Sequence, residues 1–224
     1  MKFDYKFLLI FALIGCPCII AGCKDSGEKF KVPVIKMITS ENVHGVIAPD
    51  DDNIWITGNY GIIYHSSDGG INWIKQDSGI KEGIIVDGSF LDNRTGWVTG
   101  LNGAILHTDD GGENWVQQET GTKRHLFSIC FVDRLNGWAI GEWNTVIHTN
   151  DGGKTWQRQT KDYDKILNNV FFIDNQTGWV VGERGLIRHT IDGGKTWAEQ
   201  KPQAFIRESF ETFRFNNTHH LQKI

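Results

Sequence analysis

The 224-residue sequence is poor in cysteine, proline and methionine, with four, four and two copies. It also lacks positive charge: 23 Lys and Arg stand against 27 Asp and Glu, a net −4. A nucleic-acid-binding surface needs a basic stripe, so no nucleic-acid partner is expected. Beyond residue 22 no apolar run approaches the roughly 18 residues of a membrane-spanning helix. Wholesale disorder is excluded too, since 39% of the residues are hydrophobic and only 22% charged. Cys16, Cys18 and Cys23 crowd the N-terminus, which leaves Cys130 alone in the body of the chain. A disulfide framework is therefore excluded there. The setting of Cys130, Phe127-Ser-Ile-Cys-Phe-Val132, predicts a buried small hydrophobe rather than a nucleophile.

Residues 1–22 read as an export signal. Lys2 and Lys6 supply a positive start, diluted by Asp4, and Phe7 to Ile20 is apolar apart from Pro17. The sequence Ile20-Ala21-Gly22-Cys23 resembles the lipobox of bacterial lipoproteins, with Ile20 where that family usually has Leu. The resemblance implies cleavage before Cys23 and a diacylglycerol on its thiol, which would hold the chain at a membrane without a spanning helix. The expected location is therefore the periplasmic or cell-surface side of a bacterial membrane. In enteric bacteria Lys24 after the cysteine points to the outer membrane. An ordinary secretory signal or an uncleaved anchor is the plainer reading of the same residues.

Against these scarcities stand nine Trp and 26 Gly, and a repeat accounts for most of the Trp. Ser66-Ser-Asp-Gly-Gly-Ile-Asn-Trp73, Thr108-Asp-Asp-Gly-Gly-Glu-Asn-Trp115, Thr149-Asn-Asp-Gly-Gly-Lys-Thr-Trp156 and Thr190-Ile-Asp-Gly-Gly-Lys-Thr-Trp197 align without gaps. Their Trp residues are 42, 41 and 41 apart, and a second series, Trp55, Trp97, Trp138 and Trp179, keeps the same spacing. Phe90-Leu-Asp92, Phe131-Val-Asp133 and Phe172-Ile-Asp174 lead into their units, with Asp50 in register in the first. Each unit holds four apolar, β-branched runs separated by Gly and Asp/Asn turns, with no room for a helix. The expected fold is all-β: a propeller of four-stranded blades with a repeat of about 41 residues. Four complete blades would span residues 42–200, after a linker and a possible closing strand at 23–41.

The repeated turn matches the Asp-box found in sialidases, sortilin-type receptors and several glycosidases. Its glycines suit a tight turn at positive φ, and its Asp and Ser/Thr can bind the turn N–H groups. The Trp that follows is expected to fold back as a large buried plate. The fuller unit is more specific. Phe-x-Asp-x-x-x-Gly-Trp-x-x-Gly, then Ile-x-His-Thr-x-Asp-Gly-Gly-x-x-Trp, resembles the photosystem II stability and assembly factor family over about residues 42–200. Members of that family in photosynthetic organisms are propellers that help assemble reaction-centre subunits without being enzymes. The resemblance thus implies photosynthesis-related protein binding, with no catalytic residues and no cofactor or metal.

His65, His107, His148 and His189 recur one per blade. Successive copies would point out of different blades and could not converge to the roughly 2 Å that a metal ion requires. A structural histidine beside the Asp-box is expected instead. Arg94, Arg134 and Arg184 would have to meet to bind a substrate carboxylate, and no local motif supports this. The position before the glycine in the turn between the second and third strands varies most, reading Tyr60, Asn102, Trp143 and Arg184. Trp143 is the one Trp outside the repeat, with Asn144 in the place of the glycine. No fold requirement puts an aromatic at such a tip, and Tyr, Trp and Arg are common interface anchors. These four residues are the candidate partner-binding site; scattered exposed aromatics are the plainer reading.

A fifth blade is expected to be incomplete within residues 201–224. Phe213-Arg-Phe-Asn-Asn-Thr218 lies 41 residues after Phe172-Ile-Asp-Asn-Gln-Thr177, and then His219-His220 stand where Gly-Trp should recur. A truncated gene product, a compact four-blade ring or an arc closed by self-association would each account for this. The functional expectation is a non-catalytic, membrane-anchored scaffold for protein–protein interaction. The alternatives are a secreted glycan-binding protein or sialidase-like glycosidase, and a nonfunctional fragment.

Overall fold

The computed structural model describes residues 39–201. They form four antiparallel sheets of four strands, each sheet ordered as its strands follow in the chain. Blade one comprises β1 (Val43–Ile47), β2 (Ile54–Gly58), β3 (Ile63–Ser66) and β4 (Ile74–Gln76). Blade two comprises β5 (Ile85–Phe90), β6 (Gly96–Gly100), β7 (Ile105–Thr108) and β8 (Val116–Gln117). In blade three the strands are β9 (Leu126–Phe131), β10 (Gly137–Gly141), β11 (Val146–Thr149) and β12 (Gln157–Arg158). Blade four follows with β13 (Leu167–Phe172), β14 (Gly178–Gly182), β15 (Ile187–Thr190) and β16 (Ala198–Glu199). First strands pack one on the next, β1 on β5, β5 on β9 and β9 on β13, leaving blades one and four at the ends of an arc.

Three cores lie between neighbouring blades. Trp55 and Ile63 of blade one meet Ile85, Val98 and Leu106 of blade two. Trp97 and Ile105 meet Leu126, Ile129 and Phe131. Trp138, Ile140 and Val146 meet Leu167, Val170 and Phe172. At each junction the Trp is sandwiched. Its own blade's His lies on one face and the next blade's Phe on the other. The Trp–Phe centroids are 3.9, 3.6 and 3.6 Å apart for Trp55–Phe90, Trp97–Phe131 and Trp138–Phe172. The Trp–His centroids are 4.0, 4.6 and 4.7 Å apart for His65, His107 and His148. The recurrent histidines are thus plates in a stack, and His189 lies on Trp179 in the same way at 4.6 Å.

The two Trp series differ from the sequence expectation. The Trp after the Asp-box is only half-buried in all four blades. It meets the stacked Phe edge-on, as Trp115 does Phe90 with centroids 6.0 Å apart. The fully buried plates are Trp55, Trp97 and Trp138 in the second strand, each covered by the Phe of the next blade's first strand. Asp-box hydrogen bonding follows the expected logic. In blade three, Thr149 Oγ1 accepts from Gly153 N and donates to Asp151 Oδ1, both at 2.8 Å. Asp151 also accepts from Thr155 N and Oγ1, which holds its carboxyl down at about 2.

Burial lowers the pKa values of His65, His107 and His148 below the ordinary 6.5. A depressed histidine pKa means that the unfolded chain binds the proton more tightly. The stabilisation is complete above about 6.5 and is lost as pH falls through the folded-state values. Melting temperature should therefore decline between pH 7 and pH 5. His148→Phe, which keeps a ring on Trp138 but cannot titrate, should make that decline shallower in thermal melts; an unchanged slope would refute the assignment.

Candidate functional site

In an antiparallel blade the β2–β3 hairpin lies at the opposite end from the β1–β2 loop and the β3–β4 turn. The Asp-box glycines confirm which loops share an end: Gly111 N donates to Arg94 O at 2.8 Å and Gly152 N to Leu135 O at 3.0 Å. Arg94 and Arg134 therefore sit at the Asp-box end, and Arg134 pairs there with Asp92 at 3.2 Å. Arg184 is at the tip of the β14–β15 hairpin, the other end. The three arginines cannot meet around one carboxylate.

Tyr60, Asn102, Trp143 and Arg184 occupy equivalent hairpin tips, and all four are exposed. Each adopts the left-handed conformation, with φ of 57, 59, 55 and 56°. Asparagine tolerates that region, whereas bulky side chains there are unusual. The residue that follows is glycine at φ 64, 72 and 73° for Gly61, Gly103 and Gly185. In blade three it is Asn144 at φ 56°, buried, with Nδ2 donating to Lys161 O at 3.1 Å. Its Oδ1 accepts from Arg188 Nη1 of blade four at 2.6 Å, so the substitution ties two blades together.

Trp143 is the most elaborated tip. Arg124, from the linker entering blade three, places its guanidinium carbon 4.9 Å from the indole centroid. Asp162, from the linker leaving that blade, lies 4.0 Å from Arg124 and 2.7 Å from Arg158. Arg158 Nη2 in turn donates to the Trp143 carbonyl at 3.3 Å. The indole is held yet remains 43% exposed, and Tyr60 is 62% exposed. Neighbouring tips are joined through the linkers. Asn102 N donates to His125 Nδ1 at 3.0 Å, and His125 N donates to Glu142 Oε1 at 2.9 Å. Lys165 and Glu183 approach at 3.9 Å on the far side. His125 and Asp162 carry no repeat signature, and the basic pair Arg124 and Lys165, although 41 residues apart, is not continued at Gly83 in blade two, which is why sequence reasoning missed them.

Burial pushes the Cys130 thiol up to about 11, which disfavours the nucleophilic thiolate. Cys23 lies outside the described residues, as do most of the N-terminal linker and residues 202–224, where the sequence leads one to expect an incomplete fifth blade.

No curated protein matches the sequence. Among solved structures, YCF48 bound to a D1 peptide superposes with a TM-score of 0.63 at 21% identity, covering 76% of this chain and 56% of that one. This chain thus spans little more than half of that protein's length. A GH74 enzyme of Niastella koreensis superposes at 0.58 with 16% identity, covering 73% of this chain and 30% of its own. The WD40 repeats of RRP9 reach 0.61 at 13% identity, covering 72% and 51%. At such identities these likenesses show a shared propeller fold and nothing of chemistry. The family model for photosynthesis system II assembly factor YCF48 matches residues 76–162, 114–207 and 159–220 in overlapping runs. Well over half of the chain is covered, and it belongs to the YCF48 family of photosystem II assembly factors.

Proposed function

We propose that this chain is a non-catalytic scaffold that binds a polypeptide partner along the rim of hairpin tips while Cys23 holds it at a bacterial membrane. The observation that carries the rim is the backbone of Trp143 and Tyr60. Left-handed geometry costs a non-glycine residue about 1 kcal/mol, yet these two tips carry aromatic rings that stay 43% and 62% exposed. A partner that covers the indole would bury the apolar surface that it leaves open. Arg124 and Asp162 hold that indole in place, which lowers the entropy lost on binding. A YCF48 is known with a D1 peptide bound, which supports a protein partner for this chain too. Anchoring rests on the lipobox at 20–23, and the absence of a catalytic role rests on the family.

The test is crosslinking of the anchored chain in its own membrane, with identification of what is captured. A buried Trp anchor contributes about 2 kcal/mol or more, so Trp143→Ala should cut specific capture roughly 30-fold and Tyr60→Ala less. Capture that ignores both substitutions would sink the rim reading. Cys23→Ala should separately move the protein out of the membrane fraction while leaving capture by the rim intact in solution.

A further inference from the structure

The two ends of the blades differ in charge. At one end, the loops between first and second strands and the Asp-box turns carry twelve Asp and Glu against four Lys and Arg. At the other, the four hairpins and three linkers are nearly balanced, with seven acids and six bases. Turn hydrogen bonds hold Asp110, Asp151 and Asp192 down at about 2, so the acidic end keeps its charge in mild acid. Exposed aromatic rings are divided the other way. Among the described residues the exposed Tyr and Trp are Tyr60, Trp143 and Tyr163, and all three lie at the hairpin end. The chain also enters blade one there, where Asn59 N, at the base of the first hairpin, donates to Asn42 O at 3.0 Å.

An anionic lipid surface discriminates between two such ends. Acidic loops brought against it are repelled. Charges turned away by a strand length of about 17–20 Å lie beyond the Debye length of about 8 Å, and their repulsion is screened. Balanced loops that expose Tyr and Trp suit the headgroup region, where rings with one apolar and one polar edge concentrate. The tether by itself does not choose. The sixteen steps from Cys23 to Thr39 span at most about 55 Å, enough to pass either end of a blade. Charge and exposed rings make the choice, and both favour the end at which the tether arrives.

We propose that the anchored chain stands with its hairpin end against an anionic bilayer surface and its Asp-box end turned to the aqueous phase. This rests on the anchoring at Cys23, and it means that the rim binds its partner beside the lipid headgroups.

The lipidated chain, reconstituted into vesicles, tests this by energy transfer from a thiol-linked dye to an acceptor lipid at the surface. Glu82→Cys in a linker and Glu113→Cys in an Asp-box turn each remove one exposed acid and label one end. The Cys130 thiol, pushed up to about 11, competes little for the dye. On vesicles of phosphatidylcholine and phosphatidylglycerol, the strand length of about 17–20 Å should make transfer from position 82 roughly twofold stronger or more. The gap should narrow on phosphatidylcholine alone, and near 1 M salt, where the Debye length falls to about 3 Å. It should narrow too with Asp51→Lys and Asp52→Lys together, which halve the net charge of the acidic end. Equal transfer from the two positions, or stronger transfer from position 113, would overturn the orientation. A gap indifferent to lipid charge, salt and the lysines would overturn its electrostatic cause. A chain that floats with neither vesicle would remove the anchoring, and the orientation with it. The gap does not depend on partner capture, so it can stand where the rim reading falls.

Discussion

Trp138→Ala lowers the melting temperature by about 10 °C or more, the largest effect expected of any core truncation here. The indole is fully buried between His148 and Phe172, and its Nε1 donates to Gly193 O at 3.0 Å. Truncating a buried Trp costs about 3–5 kcal/mol, through lost transfer energy and the cavity that remains. In a domain of this size each kcal/mol moves the midpoint by roughly 2–4 °C. The loss also unstacks Phe172 of the next blade, so it opens a junction rather than denting one sheet. Trp156→Ala is the comparison. That ring is half-buried and meets Phe131 edge-on, and it should cost less than half as much. Circular-dichroism melts of the two variants decide the matter: an equal or greater loss for Trp156→Ala would mean that the load falls on the Asp-box Trp.

The periodicity of the sequence was enough to recover the blades. Two Trp series and one Asp-box at 42, 41 and 41 residues leave room for four short strands and little else. The division of labour between the Trp series was not legible, because a repeat shows equivalence among copies and not which neighbour each copy faces. Gln76, Gln118 and Gln159 were visible in register yet unread. Their meaning lies in contacts 34 or 35 residues away, across a blade boundary. Blade one shows a compensation that only pairing reveals. Blades two to four set Phe against Gly across the first two strands, as in Phe131↔Gly137. The first blade has Ala48 and Ile54 at those places, so volume is exchanged between the two strands. The tips were legible because they depart from the repeat. The linker groups that hold Trp143 obey no period shared by all the blades, and nothing in the sequence marked them.

Gly141→Ala is expected to destabilise the chain by more than about 3 kcal/mol, although Gly141 is not among the glycines at positive φ. The residue ends β10 where the pairing with β9 shifts register, opposite Leu126. A Cβ there would overlap the carbonyl oxygen of His125 and crowd Leu126 Cα. That carbonyl cannot simply retreat, since it accepts from Glu142 N at 3.1 Å and so fixes the start of the Trp143 hairpin. The same overlap recurs at Gly58, Gly100 and Gly182 with the carbonyls of Asn42, Ile84 and Ile166, which explains the second glycine of Gly-Trp-x-x-Gly. Gly185 supplies the contrast. Its φ is +73°, but a Cβ there meets open space, so Gly185→Ala should cost only about 1 kcal/mol. Ranking glycines by φ alone would reverse this order. Urea midpoints for the two variants separate the views, and a Gly141→Ala protein as stable as Gly185→Ala would show that the bulge can yield. If it cannot, the glycine that lets the first two strands close also sets the angle at which each hairpin tip, Trp143 included, leaves its blade.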